Sequence, residues 1–223
     1  DGEDMRQNVS LAEISDGHLY KANDMVKADC GGCEGCSQCC RGMGISIILD
    51  PYDVYRLTTG IGKSMQELLA TSVELNVVDG VILPNLKMQG TREACAYLDT
   101  EGRCSIHPYR PGICRLFPLG RHYENGGLFY FLQTGECAKE NRSKVKVSKW
   151  IDTPELKRNE QFKLQWHDLL SAMTDRVAGE DEGKQREENL LLLRLFYLLP
   201  YEGTTDFYSQ FTERMEHWNE QIG

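Results

Sequence analysis

The sequence predicts an α+β fold in which a cysteine-rich middle, built of short strands and hairpins, is followed by a helical C-terminal region. Nine cysteines lie between residues 30 and 137, and five of them crowd between Cys30 and Cys40 among glycines. Turn residues divide short apolar runs through the middle of the chain. After Trp150, apolar residues recur at spacings of three and four, the period of a helix. The expected organisation is a polar lead-in over 1–29, a cysteine-rich core over 30–149 and a helical region over 150–223 packed on that core. A chain of 223 residues suffices for one such continuous unit.

The elements follow in order. Gly31, Gly32, Gly35, Gly42 and Gly44 permit a tight, partly left-handed backbone around the first cysteines. Residues 45–49 form a short apolar run expected as a strand. Asp50 then caps a helix with Pro51 in its first turn, Asp53 bonding back and Gly60 as the stop. Ser64 and Glu67 have capping-box spacing and open a second helix. Asp79-Gly80 sets a hairpin turn between the apolar segments 77–78 and 81–82. A second hairpin is expected from 117–123 and 128–133, joined through 124–127. Thr153-Pro154-Glu155 starts the helical region. Leu169, Leu170 and Met173 form one apolar stripe, and Phe207, Phe211, Met215 and Trp218 form another on a single helix face. Core packing is the expected use of both, and the second also offers a docking face to a protein partner. The acidic stretch 179–183 reads as a solvated loop, and 190–199 as a helix buried on nearly all sides.

Composition excludes several classes. Hydrophobic residues at 40% and charged residues at 26% are ordinary for a folded globular chain. A net charge of −9 repels phosphate backbones and anionic lipid surfaces, so neither nucleic acid nor a membrane is an expected partner. The run 190–199 is broken by Arg194, stopped by Pro200 and shorter than the roughly 20 residues a membrane span needs. The acidic start, Asp1-Gly2-Glu3-Asp4, lacks the basic and apolar parts of a secretion signal, which points to the cytoplasm.

Cysteine spacing points to a metal. Cysteines two residues apart close almost no loop in the unfolded chain, so disulfides among them would stabilise little, and their number is odd. Cys30-x2-Cys33-x2-Cys36-x2-Cys39-Cys40 instead lets neighbouring sulfurs converge on one ion or cluster. Zinc and iron–sulfur clusters are the two centres that take such soft ligands. Cys30, Cys33, Cys36 and Cys40 reproduce a ferredoxin order, but Arg41 stands where that motif has proline. Downstream, Cys95 and Cys104 flank a turn at 99–102 that returns both sulfurs to one end of a hairpin. Cys95, Cys104, Cys114 and Cys137 also suit the bland role of small buried residues. His107, before Pro108, reads equally as a surface histidine and is left out of the ligands.

Three segments together carry a family resemblance. They are Cys33-Glu34-Gly35-Cys36-Ser37-Gln38-Cys39-Cys40-Arg41, Cys95-Ala96-Tyr97-Leu98-Asp99, and the run from Gly102-Arg103-Cys104-Ser105-Ile106-His107 through Arg110-Pro111-Gly112-Ile113-Cys114-Arg115-Leu116-Phe117-Pro118. Over about residues 30–137 the chain resembles the CxxCxxCC cysteine-cluster family, also called YkgJ-like, whose pattern the flagellin lysine N-methylases share. The resemblance implies chelation of zinc or iron, the metal being held by Cys33, Cys36, Cys39, Cys40, Cys95, Cys104, Cys114 and Cys137. Cys30 falls outside the pattern, and His107 stands where relatives often have tyrosine. The resemblance also gives Arg110 and Arg115 a meaning as donors to metal-bound sulfur that offset thiolate charge, with Pro111 stiffening the turn. The expected function is a metal-binding core, zinc or iron–sulfur, in a structural or redox role. The alternative is protein-lysine methylation with S-adenosylmethionine. No glycine-rich loop follows a predicted strand and opens a helix to support it, and there is no isolated C-x3-C-x2-C trio.

Overall fold

The computed structural model of the chain describes residues 11–31, 36–139 and 141–222. Expectations placed on residues 1–10 and on Gly32, Cys33 and Gly35 lie outside the described residues. In order, the elements are α1 (Leu11–Ile14), β1 (Met25–Asp29), α2 (Pro51–Ile61), α3 (Met65–Thr71), β2 (Val73–Val78), β3 (Val81–Leu86), β4 (Met88–Gln89) and β5 (Ala94–Cys95). There follow α4 (Gly112–Leu116), β6 (Leu119–Glu124), β7 (Gly127–Leu132), β8 (Ser143–Lys146), α5 (Val147–Ile151), α6 (Leu156–Val177), α7 (Glu182–Leu193) and α8 (Phe207–Ile222). The fold is α+β. Its described strands form four antiparallel pairs, β1 with β8, β2 with β3, β4 with β5 and β6 with β7.

Local chemistry accounts for most of these boundaries. Asp50 and Asp53 make the reciprocal capping box that opens α2, and Ser64 with Glu67 does the same for α3. Both hairpins turn on two residues of positive φ, Asp79-Gly80 and Asn125-Gly126, whose twist matches that of paired strands.

Four expectations need correction. Helix α2 ends at Gly62 in the left-handed conformation rather than at Gly60. Gly60 sits inside the helix because a Cβ there would land on the Tyr109 ring. Residues 45–49 do not form a strand. Only residues 47–49 run beside β3, with the Leu49 amide donating to Pro84 O at 2.8 Å and the Leu86 amide to Ile47 O at 3.0 Å. Pro84 has no N–H to return, so the ladder stops there. The acidic stretch is partly a helix start, since Asp181 caps α7 by accepting from the Gly183 and Lys184 amides. Finally, 190–199 is neither one regular helix nor buried all round. Leu190 and Leu199 are 55% and 47% exposed, and a wide π turn at Arg194–Leu198 replaces the last helical turn. Arg214 of α8 accounts for that break, because its guanidinium donates to the Leu195, Leu199 and Pro200 carbonyls.

Two apolar clusters organise the molecule. The larger joins the β2–β3 hairpin and α2 to Phe162, Trp166, Leu169, Met173 and Val177 of α6, to the π turn, and to Phe207, Phe211 and Trp218 of α8. Leu170 and Met215 pack on its margin. The smaller gathers β1, β7, α5 and the Leu116 to Leu119 stretch. No described helix is long and apolar enough to cross a membrane.

A buried polar knot ties the cysteine region to these cores. The Asp53 carboxylate, 3% exposed, accepts from the Gly112 amide at 2.7 Å and from the Asp50 amide at 3.1 Å. Lys163 of α6, itself buried, pairs with Asp50. Burial pushes the Asp53 carboxyl up to about 6, assisted by Asp50 and opposed by Lys163 and the two amides.

Two predictions follow from burial. Phe196→Ala, at a fully buried ring in the π turn, should destabilise by about 3–5 kcal/mol in urea unfolding. Leu190→Ala, on the same segment but facing water, should cost less than about 0.5 kcal/mol. The Asp53 carboxyl holds its proton in the folded chain where the unfolded chain, with an ordinary value near 3.8, has lost it. Its stabilising contribution is therefore full below the unfolded value and is lost as pH rises through about 6. Relative to Asp53→Asn, the unaltered chain should gain melting temperature as pH falls from about 7 to about 4. A difference independent of pH would show that Asp53 ionises normally.

Candidate metal centre

Three segments bring thiols together. Gln38–Cys40 forms a single 3-10 turn, closed by the Cys40 amide on Ser37 O and the Arg41 amide on Gln38 O, each at 3.1 Å. That turn sets Cys39 and Cys40 side by side, with their thiols hydrogen-bonded to each other. The chain then passes along β5, since Arg41 bridges Ala94 and the Gly42 amide donates to Glu93 O at 2.9 Å. Gly42, at φ 66, supplies the left-handed step this crossing needs. Cys95 in β5 thereby lies beside the first segment.

The turn at 99–102 returns the chain as expected. The Asp99 carboxylate accepts from the Glu101 and Arg103 amides at 3.0 and 2.8 Å, and Leu98 bridges Cys104. Cys114 arrives from α4, a helix of five residues, too short to be stable alone. It is held by Asp53 on Gly112 and by Arg115, which is buried and donates to Pro108 O at 3.1 Å and Asp152 O at 2.8 Å.

Five cysteines act on one another electrostatically. Cys39 accepts the Cys40 thiol, which holds Cys39 down at about 7 against burial, with Arg110 helping. Cys40 is pushed up by giving that hydrogen bond, by burial and by Cys39, Cys114 and Cys95. Burial raises Cys114, and Cys95, Asp53, Cys104 and Cys39 add to it. Cys95 and Cys104 are likewise raised, chiefly by burial, while the Tyr97 and Ile106 amides oppose it. Each thiolate therefore disfavours the next, and a cation among them would reverse that balance.

Cys36 and Cys137 are half-buried. Cys33 lies outside the described residues. Cys30, outside the family pattern, is half-buried at the end of β1. Among the described residues, no group of three or more His, Cys, Asp or Glu is arranged to hold a metal ion as it stands. The donor chemistry nonetheless fits zinc or iron, both of which take several soft thiolates. A second feature fits as well. The Nε of Arg110 is buried without a hydrogen-bond partner, and its charge acts on Cys39 and Cys104.

The two arginines divide their work. Arg115 spends its guanidinium on backbone carbonyls, so it anchors α4. Arg110 keeps a donor in hand. His107 Nε2 lies 3.0 Å from Arg110 Nη1, and burial, Arg110 and Arg115 push the imidazole down towards its neutral form. Its Nε2 lone pair is thus already engaged.

Sequence reasoning missed Asp53 as the anchor of Gly112 and Arg56 as a second donor to Pro108 O, at 2.6 Å. Asp53 was visible only as a capping residue, and a contact 59 residues away leaves no local signal.

No curated protein and no solved structure was found to match the chain. A family model, CxxCxxCC, described as a "putative zinc- or iron-chelating domain", matches residues 32–143, half of the chain, and the chain belongs to that family.

Proposed function

We propose that the chain holds zinc or an iron–sulfur cluster through cysteine thiolates, in a structural or electron-carrying role. The ligand set is Cys33, Cys36, Cys39, Cys40, Cys95, Cys104, Cys114 and Cys137. The observation that carries this reading is that thiols from three separate segments lie in one another's field. A lone reduced cysteine serves well as a small core residue. Four whose ionisation is hindered, grouped with a fifth, Cys39, whose ionisation is favoured, suit a centre whose positive charge they share.

Eight thiolates fill two four-ligand sites, and closed sites of that kind leave no position for a substrate. When bound, zinc ties the three segments together, whereas a cluster also accepts and returns an electron. The chain's own part is to fold the 3-10 turn against β5, to return Cys104 through the Asp99 turn and to present Cys114 from α4. Thiolate ligation needs reduced cysteines, which favours the cytoplasm.

Anaerobic purification with metal and sulfide analysis tests the proposal. Bound zinc or iron in fixed ratio to protein is expected, with iron and sulfide appearing together if the centre is a cluster. Cys104→Ser and Cys114→Ser should each lower metal content, because a hydroxyl is a poor soft-metal ligand. Stripping the metal with a chelator should lower the melting temperature. A chain that purifies with neither metal and binds neither on addition overturns the reading.

A further inference from the structure

We propose that strand β2 is a docking edge for a second copy of this chain, the two β2 strands pairing antiparallel about a two-fold axis at Asn76. This pairing does not depend on a bound metal. The two edges of the β2–β3 hairpin are finished unequally, and the difference points to a missing strand.

Along β3 the outer edge is closed. The two-residue turn at Asp79-Gly80 makes Val78 and Val81 a hydrogen-bonded pair, so bonding alternates and Ile82, Pro84 and Leu86 turn their backbone groups away from β2. Each of these finds a partner. The Ile82 amide donates to Asn189 Oδ1 at 2.7 Å, the Pro84 carbonyl accepts from the Leu49 amide at 2.8 Å, and the Leu86 amide donates to Ile47 O at 3.0 Å. Opposite them on β2 stand Val77, Leu75 and Val73, whose backbone groups face outward in turn. The only strand paired with β2 is β3, and among the described residues the outward amides and carbonyls of Leu75 and Val77 have no hydrogen-bond partner. Their side chains are 42% and 59% exposed. Sheet edges that stay single are commonly guarded by lysine, proline or a bulge, yet Val73–Val78 has none of these and keeps an unbroken register with β3.

An extended strand is what those backbone groups fit, and β2 itself meets the demand. With Asn76 on the axis, Leu75 of one copy stands opposite Val77 of the other as a pair that exchanges both backbone bonds, and the pair recurs across the axis. The opposed side chains are apolar, and each Glu74 faces Val78 instead of a second Glu74. No like charges meet. A register centred on Leu75 would bring the partner strand against Val73, which is 1% exposed. The contact is small beside the roughly 800 Å² per partner of a standard interface, so the dimer is weak and needs high concentration. A net charge of −9 on each copy opposes it at long range, so salt tightens it.

Sedimentation velocity on the full chain over a concentration series, with amide hydrogen exchange at both ends of the series, tests this. A monomer–dimer equilibrium strengthened by salt is expected. The Leu75 and Val77 amides should exchange fast in dilute solution and slowly in concentrated solution, while the Asn76 and Val78 amides, bonded within the hairpin, stay slow in both. Leu75→Lys and Val77→Lys each put an ammonium on the edge and should weaken dimerisation by about tenfold or more. Met25→Lys, at a residue 51% exposed on β1, should leave it unchanged. A chain that stays monomeric throughout overturns the proposal and leaves the edge to a strand of a different protein. A dimer that survives both lysine variants, or one that forms while the Leu75 and Val77 amides remain fast, also overturns it, because its contact then lies elsewhere than the β2 edge.

Discussion

Asp53 accepts hydrogen bonds from the start of its own helix and from Gly112 at the start of α4, and the rest of the cysteine region depends on that bond. Helix α4 has too few residues to sustain itself, so the position of Cys114 is set by what grips its ends. At the N-terminal end that grip is the Asp53 carboxylate; further along it is buried Arg115, with Leu116 sunk in the smaller core. A carboxylate so deeply buried would be expensive alone. Lys163, reaching in from α6 to Asp50, supplies the opposing charge, so the helical region contributes directly to the placement of a cysteine.

The same arrangement explains why the helical tail and the cysteine-rich part form one body. Tyr197, in the π turn, donates to the Leu49 carbonyl immediately before the α2 cap. Cys95, Cys104 and Cys114 pack against the larger apolar cluster to which α6, α7 and α8 contribute. The cluster thus removes water from one side of these three, which stay half-buried.

What could be read from sequence was what neighbouring residues decide. Both capping boxes, both hairpin turns and the Asp99 return between Cys95 and Cys104 rest on side chains acting within four residues of themselves. Two of the failures involve a distant partner. Gly60 resembles a helix stop until the Tyr109 ring is placed over it, and the 190–199 segment resembles a regular helix until Arg214 draws off its carbonyls. At the site, cysteine spacing marked the chemistry, but the division between Arg110 and Arg115 depends on where the Pro108 and Asp152 carbonyls fall in space.

Half-burial also constrains how the thiolates can be stabilised. Burial already raises the Cys114 thiol and opposes its ionisation, so a drier site would bind a cation only after a larger cost. Full exposure would let water compete for the sulfurs and leave the metal exchangeable. Individual donors oppose burial between these limits: the Tyr97 amide at Cys95, the Ile106 amide at Cys104 and the charge of Arg110 at Cys39 and Cys104. Each favours the thiolate without enclosing it further. The backbone turns that aim the Tyr97 and Ile106 amides therefore act on the same sulfurs that burial works against.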